Sequence, residues 1–127
     1  MICPVCGKYE IEEEWEGCRV CGWIYDGVQT DDEEYPGGSN YRSVVDYRRL
    51  YKKFNGKYDV KKMNELCPVC DGDKYINDVC EKCGWIWSSP QYFNPNDKGN
   101  EYCDNEKSLN EYREMWSKRT NNKSQPT

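Results

Sequence analysis

The sequence has no histidine and no alanine, and it contains only eight valines, five isoleucines and three leucines among its 127 residues. Without histidine, acid–base catalysis would have to rely on carboxylates or tyrosines, which argues against an enzyme. A unit of about 60 residues with so few aliphatic side chains buries too little apolar surface to be stable alone. A metal or disulfide staple is therefore expected, and the nine cysteines are its obvious source.

The chain also has no long apolar stretch, so no membrane contact is expected. Its first residues, Met1-Ile2-Cys3-Pro4, do not have the pattern of a secretory signal. We therefore expect a cytoplasmic protein, in which reduced cysteines favour metal binding over disulfides. A disulfide framework in a secreted protein whose signal has been removed is the alternative.

The cysteines other than Cys103 form two groups with the same pattern. The first reads C-x2-C-x11-C-x2-C and the second reads C-x2-C-x9-C-x2-C. Their members are Cys3, Cys6, Cys18 and Cys21, and then Cys67, Cys70, Cys80 and Cys83. C-P-V-C opens both groups and C-G-W-I closes both, so the chain contains a duplicated unit. Cys103 has no counterpart, and we interpret it as an incidental thiol.

Each repeat predicts a small metal-stabilised α+β unit of the zinc-ribbon type, in which two cysteine knuckles flank a β-hairpin and a helix follows. The expected strands lie near Tyr9–Trp15, Trp23–Tyr25, Lys74–Val79 and Trp85–Trp87. A Pro/Gly/Asn-rich loop follows each hairpin (35–40 and 94–100). The helices are expected to begin at capping boxes, Ser43 with Asp46 and Ser108 with Glu111. The predicted boundaries are 1–55 for the first unit, 56–66 for a linker, 67–118 for the second unit and 119–127 for a polar tail.

Two closely spaced cysteine pairs supply four donors at about 2.3 Å from a tetrahedral ion. Gly7, Gly22 and Gly84 follow their cysteines where left-handed backbone is expected, and Asp71 stands in the corresponding place of the remaining knuckle. Four thiolates fill the coordination sphere, which is typical of a structural site. We therefore expect two Zn²⁺ ions, one per group. Iron in place of zinc and redox-active cysteine pairs remain as alternatives.

Residues 3–54 resemble the bacterial cysteine-rich CPCC family, a small zinc-ribbon-like domain. The matching residues are Cys3-Pro4-x-Cys6-Gly7, Cys18-x-Val20-Cys21-x-Trp23, Asp26, Val28-Gln29, Gly37-Gly38-x-Asn40, Ser43 and Tyr51-Lys52-Lys53-Phe54. The second copy, from Cys67 to about Lys118, keeps Cys67-Pro68, Trp85, Gln91 and Ser108. Val5 and Val69 stand where the family usually has a further cysteine. The resemblance provides no activity to carry over to this chain; it implies small cytoplasmic accessory proteins, some of them immunity proteins or partners encoded near bacterial toxins.

The segment from Cys18 to Gly27 is also similar to the first knuckle of rubredoxin, which binds iron through four cysteines and transfers electrons. In rubredoxin the partner knuckle lies later in the chain, whereas here it lies earlier, so the likeness is local. An iron-containing electron carrier is nevertheless the alternative function.

Large aromatic side chains outside the repeated core positions predict a protein-binding surface. The candidates are Trp15, Tyr35, Tyr41, Trp87, Tyr92 and Phe93. The chain has acidic runs at 12–14 and 31–34 and a formal charge of −5, which becomes about −9 once two Zn²⁺ tetrathiolates form. This negative charge suits a basic protein partner. The favoured function is a non-catalytic zinc-binding protein-interaction module, immunity- or antitoxin-like. Nucleic-acid binding ranks third, because only the basic run from Arg48 to Lys62 favours it.

Overall fold

In the computed structural model the chain forms two compact units, Met1–Glu65 and Leu66–Thr127. The structure describes residues 1–99 and 105–124, the last five through their backbone alone. Cys103 and the last residue of the loop predicted at 94–100 lie outside the described residues. In the described part of the chain, no helix is both long and apolar enough to span a membrane. The combination of helices, a small sheet and two four-cysteine groups confirms the expected α+β class.

Three helices follow the cysteines of the first unit: α1 (Gly27–Asp31), α2 (Val44–Lys53) and α3 (Val60–Asn64). Ser43 caps α2 as predicted, since its hydroxyl accepts a hydrogen bond from the N–H of Asp46 at 3.1 Å. One face of α2 is buried in the unit. The carboxylate of Asp46 also accepts hydrogen bonds from Arg42 and Arg49, which fixes the first turn of the helix by charge.

The segment predicted as a linker, 56–66, contains α3, and this helix packs on the first unit. Val60 and Met63 are buried. The N–H of Val60 donates to the carbonyl of Cys21 at 2.7 Å, and the Tyr47 hydroxyl donates to the Asn64 side chain at 2.5 Å. The linker prediction was wrong because the segment looks polar, although its apolar residues are three apart and share one helical face.

The hairpin of the second unit is shorter than predicted. Strand β1 (Tyr75–Ile76) pairs antiparallel with β2 (Val79–Cys80). Asn77 and Asp78, with φ of 51° and 66°, form the two-residue turn between them. The predicted strand Lys74–Val79 is therefore interrupted by a turn, and its expected partner Trp85–Trp87 contributes only a single bridge from Ile86 to Val79.

In the first unit the predicted strands Tyr9–Trp15 and Trp23–Tyr25 are wrong as continuous elements. Within the described residues they are reduced to isolated bridges, Ile2 with Glu10 and Gly17 with Ile24. Trp15 has φ of 71°, and this left-handed residue ends the extended backbone.

Two helices complete the second unit, α4 (Ser89–Phe93) and α5 (Leu109–Ser124). The capping box predicted at Ser108 is confirmed in both directions. Its hydroxyl accepts from the N–H of Glu111 at 3.2 Å, and the Glu111 carboxylate accepts from the N–H of Ser108 at 3.1 Å. Helix α5 continues beyond residue 118, so the predicted polar tail is helical as far as Ser124.

A buried glutamine and a buried asparagine bind the loop after α1 to the cysteine-containing segment. Gln29 donates from its amide to the carbonyls of Tyr35, Asn40 and Arg42 at 3.0–3.1 Å. The Asn40 side chain accepts from the N–H of Ile24 at 2.9 Å and donates to the Ile24 carbonyl at 2.7 Å. Asn40 thus satisfies both peptide groups of Ile24, as a neighbouring strand would.

The same network occurs in the second unit, with Gln91 and Asn105 in place of Gln29 and Asn40. Gln91 donates to the carbonyls of Asp97, Asn105 and Lys107 at 3.0–3.2 Å. Asn105 accepts from the N–H of Ile86 at 2.8 Å and donates to its carbonyl at 2.7 Å. The duplicated units have therefore kept a polar core while much of their sequence has diverged.

Replacing Asn105 by alanine should destabilise the second unit by about 3 kcal/mol, because it leaves buried peptide and amide groups without partners. We expect a lower urea midpoint and faster hydrogen exchange at the Ile86 N–H. The matched control is Asn110→Ala, which removes an exposed amide bonded to the Asn96 side chain at 2.9 Å. It should cost less than about 0.5 kcal/mol. Equal effects of the two substitutions would contradict the role of the network.

Candidate metal centres

Each four-cysteine group is built from two tight turns of the same form. The residue after the second cysteine of each pair has positive φ: 68° at Gly7, 87° at Gly22, 63° at Asp71 and 85° at Gly84. Its N–H donates to the carbonyl of the pair's first cysteine at 2.8–2.9 Å in all four turns. The predicted left-handed positions are thereby confirmed.

Backbone N–H groups in these turns point toward sulfur. The N–H groups of Val20 and Cys21 lie 3.4 and 3.5 Å from Sγ of Cys18. In the second unit the N–H of Val69 lies 3.4 Å from Sγ of Cys67. Such donors stabilise a thiolate, which is the form of cysteine that binds metal.

The sulfur positions test whether a metal ion fits. Within each group, all four sulfur atoms lie within 4.8 Å of one another. The sulfur–sulfur distances are 3.6 Å for Cys3–Cys21 and Cys6–Cys18, and 3.5 Å for Cys67–Cys83 and Cys70–Cys80. A tetrahedral ion bonded to sulfur at about 2.3 Å would hold its ligands about 3.8 Å apart. The eight predicted ligands therefore form two groups that each fit one tetrahedral ion.

Protonation of the cysteines differs within each group. A hydrogen bond from Cys21 lowers the pKa of the Cys3 thiol to about 5, and a hydrogen bond from Cys70 lowers the pKa of Cys67. Hydrogen bonding to these thiolates raises the pKa of Cys21 and of Cys83 well above the usual range. A metal ion must displace the protons that remain, so metal affinity decreases as the pH falls.

A helix arginine holds the first turn of each group, a contact that sequence reasoning missed. The guanidinium Nε of Arg48 donates to the carbonyl of Pro4 at 2.8 Å, and Nε of Arg113 donates to the carbonyl of Pro68 at 2.9 Å. The signal was present in the sequence, because Tyr-Arg recurs at the same place in both helices. The helix thus positions the metal-binding turn as well as packing on the core.

The six aromatic residues predicted to bind a partner differ in how exposed they are. Trp15, Tyr35 and Phe93 are exposed, at 65%, 44% and 37% of their surface. Tyr41 and Trp87 are half-buried, and Trp87 packs edge-on against Tyr75 with ring centroids 5.7 Å apart. Tyr92 is 7% exposed, so it offers little surface for the predicted contact with a partner. It lies in α4, a helix that the sequence analysis did not predict.

Two closed sets of four cysteines, each with the spacing of a tetrahedral ligand shell, define a small cysteine-rich metal-binding protein. The sequence model of the cysteine-rich CPCC family matches residues 1–65, just over half of the 127 residues, and the chain belongs to this family. The second group lies outside the matched range and has the same geometry, which fits a protein with two copies of the unit. A comparison with curated proteins found no match.

Serine substitution should remove one metal ion at a time. Cys3→Ser takes one donor from the first group, so we expect one bound Zn²⁺ in place of two in a Zn²⁺ titration. The NMR signals of the first unit should lose dispersion while those of the second persist, because a structural ion contributes on the order of 10 kcal/mol to folding. Cys67→Ser should have the reverse effect.

The control is Cys103→Ser, which leaves both groups intact and should retain two ions. Retention of a native spectrum by both units after complete chelation would contradict the structural role of the metal.

Proposed function

We propose that the resident ion of each group is zinc and that its role is structural. The observation that supports this is the donor set: four sulfurs at tetrahedral spacing, with no other side chain in the described group. Zinc is commonly bound by four cysteines in sites of this kind, and such sites leave no position for water or substrate. The protein would accordingly be non-catalytic, with rigid loops held by its metal ions.

The identity of the metal can be tested directly. Protein purified from its source cell should contain two zinc ions per chain by elemental analysis and should be colourless. Iron in either group, with the red colour of ferric thiolate, would instead support the rubredoxin-like electron carrier. Loading the apoprotein with Fe²⁺ alone would not decide the matter, because four thiolates bind both ions.

We further propose that the first unit binds a basic protein through an acidic face on either side of α1. On one side, exposed Trp15 follows the carboxylates of 12–14, and the Glu14 carboxylate lies against Gly27 at the start of α1. On the other side, exposed Tyr35 follows the run 31–34, and its carbonyl accepts from Gln29 of α1. Two exposed aromatics among carboxylates suit a partner that has both cationic and apolar groups.

Part of the basic run that favoured nucleic acid is engaged within the unit. Arg48 forms an ion pair with Glu33 at 3.0 Å, and Arg49 forms one with Asp46 at 2.9 Å. Lys57 and Lys62 lie over the ring of Tyr58. These contacts support a protein partner over nucleic acid. A cytoplasmic immunity- or antitoxin-like role, in which this protein masks a basic partner, is the form of the proposal that the family resemblance favours.

The acidic face can be tested by replacing Trp15 and Tyr35 together with alanine. Affinity for the partner captured from the source cell should fall by about 2 kcal/mol or more, with two zinc ions retained. Association of the wild-type protein should slow as salt increases, because the attraction of unlike charges is screened.

The control is Ile76→Ala, which shortens an exposed apolar side chain in the other unit. It should leave affinity unchanged. Capture of RNA or DNA in place of a protein, with affinity lost on neutralising Lys52 and Lys53, would overturn the proposal.

A further inference from the structure

The two units differ at one face of the helix that follows the cysteines. In the first unit this face consists of Val5, Cys21, Tyr47 and Leu50, and each of these is at most 4% exposed. Helix α3 lies against it through the Val60–Cys21 and Tyr47–Asn64 hydrogen bonds, with Met63 buried beside it. The face is therefore covered by a short helix of the same chain.

In the second unit no described residue covers the equivalent face. It is formed by Val69, Cys83, Tyr112 and Met115, of which the first three are half-buried and Met115 is 52% exposed. The chain does not turn back here, because α5 continues to Ser124, whereas α2 ends at Lys53. Among the described residues of this unit, none forms a helix equivalent to α3.

This uncovered face is a groove of about 230 Å³, which Trp116 and Arg119 also line. It is larger than a cavity of about 150 Å³, which can hold a benzene molecule, so it has room for more than one aliphatic side chain. Within the part of the chain that the structure describes, the Tyr112 hydroxyl and the Cys83 carbonyl have no hydrogen-bond partner. Their equivalents in the first unit are the two groups that bind α3.

The rim of the groove is cationic. Lys82 and Arg119 lie over the Trp116 ring, 6.0 and 5.6 Å from its centroid. The corresponding positions of the first unit are Val20 and Phe54, which are apolar. A segment that fits this groove should therefore combine the apolar residues of α3 with negative charge.

We propose that this groove of the second unit binds a short helical segment of another protein. The segment has two apolar residues three positions apart, as Val60 and Met63 are, and acidic residues beside them. It would donate a backbone N–H to the Cys83 carbonyl and accept from the Tyr112 hydroxyl. This site is independent of the acidic face, which lies in the other unit and suits a basic partner.

The sequence disfavours two other occupants. Helix α3 from a second copy has Lys61 and Lys62, which would meet the cationic rim. Residues 120–127, T-N-N-K-S-Q-P-T, contain no large apolar side chain to fill the groove. A partner with an acidic, apolar helix satisfies both the shape and the charge.

The test uses the full metal-loaded chain and a synthetic peptide with the sequence of residues 58–66, Y-D-V-K-K-M-N-E-L, containing Lys61→Glu and Lys62→Glu. We expect saturable NMR shifts confined to the groove residues, with a Kd below about 1 mM. Met115→Lys in the protein should weaken binding roughly tenfold or more. Ile76→Lys, at a similarly exposed position of the same unit, should not change it.

Charge reversal gives an independent readout. With Lys82→Glu and Arg119→Glu in the protein, the unmodified peptide should bind more tightly than the acidic one. Absence of saturable binding by either peptide, or binding unaffected by Met115→Lys, would overturn the proposal. A concentration-dependent dimer that Met115→Lys dissociates would assign the groove to a second copy of the chain, and would also overturn it. Retention of two metal ions by every variant confirms that each one is folded.

Discussion

The convergence of four sulfur atoms within 4.8 Å of one another is the constraint on which each unit depends. Thiolates so close together repel one another, and burial makes their charge costly unless a cation compensates it. The turns that hold them use left-handed residues and N–H groups aimed at carbonyl and sulfur, so the local backbone is already shaped for an ion. In a unit with so few aliphatic side chains, we expect metal binding and folding to be one process.

Buried polar side chains hold the backbone segments of each unit together, as an apolar core would in a larger domain. Buried amide side chains join backbone segments that do not pair with each other as strands. These amides belong to Gln29 and Asn40 in the first unit and to Gln91 and Asn105 in the second. Because each amide is buried and has several hydrogen-bond partners, the network favours one arrangement of the backbone. An arrangement that left some of these groups unpaired would destabilise the unit. Gly38 lies against it, and a Cβ there would approach the Asp26 carboxylate to 2.6 Å, so a larger residue would force this buried carboxylate to shift.

The turns and caps that depend on a few neighbouring residues could be predicted from the sequence, whereas the short helices and the contacts between segments could not. The cysteine turns, their left-handed residues and the Ser43 and Ser108 caps follow from a few neighbouring residues, so the sequence predicted them. Helices α1, α3 and α4 have five residues each, too few for apolar periodicity to distinguish a helix from a loop. Asp26-x-x-Gln29 and Ser88-x-x-Gln91 did contain a helix-start signal. Asn105 escaped notice because three extra residues separate it from Gln91 in the second copy.

Duplication of a metal-stapled unit leaves its surface free to change, because the fold rests on a few ligands and amides. The first copy turns back after Lys53, and Val60 and Met63 of α3 close its helix face. The second copy extends α5, and the same face stays open with Lys82 and Arg119 at its rim. The open face leaves Met115 52% exposed, and the Cys83 carbonyl has no hydrogen-bond partner among the described residues. The proposed partner helix would cover that side chain and donate to that carbonyl, as α3 does for the equivalent groups of the first copy.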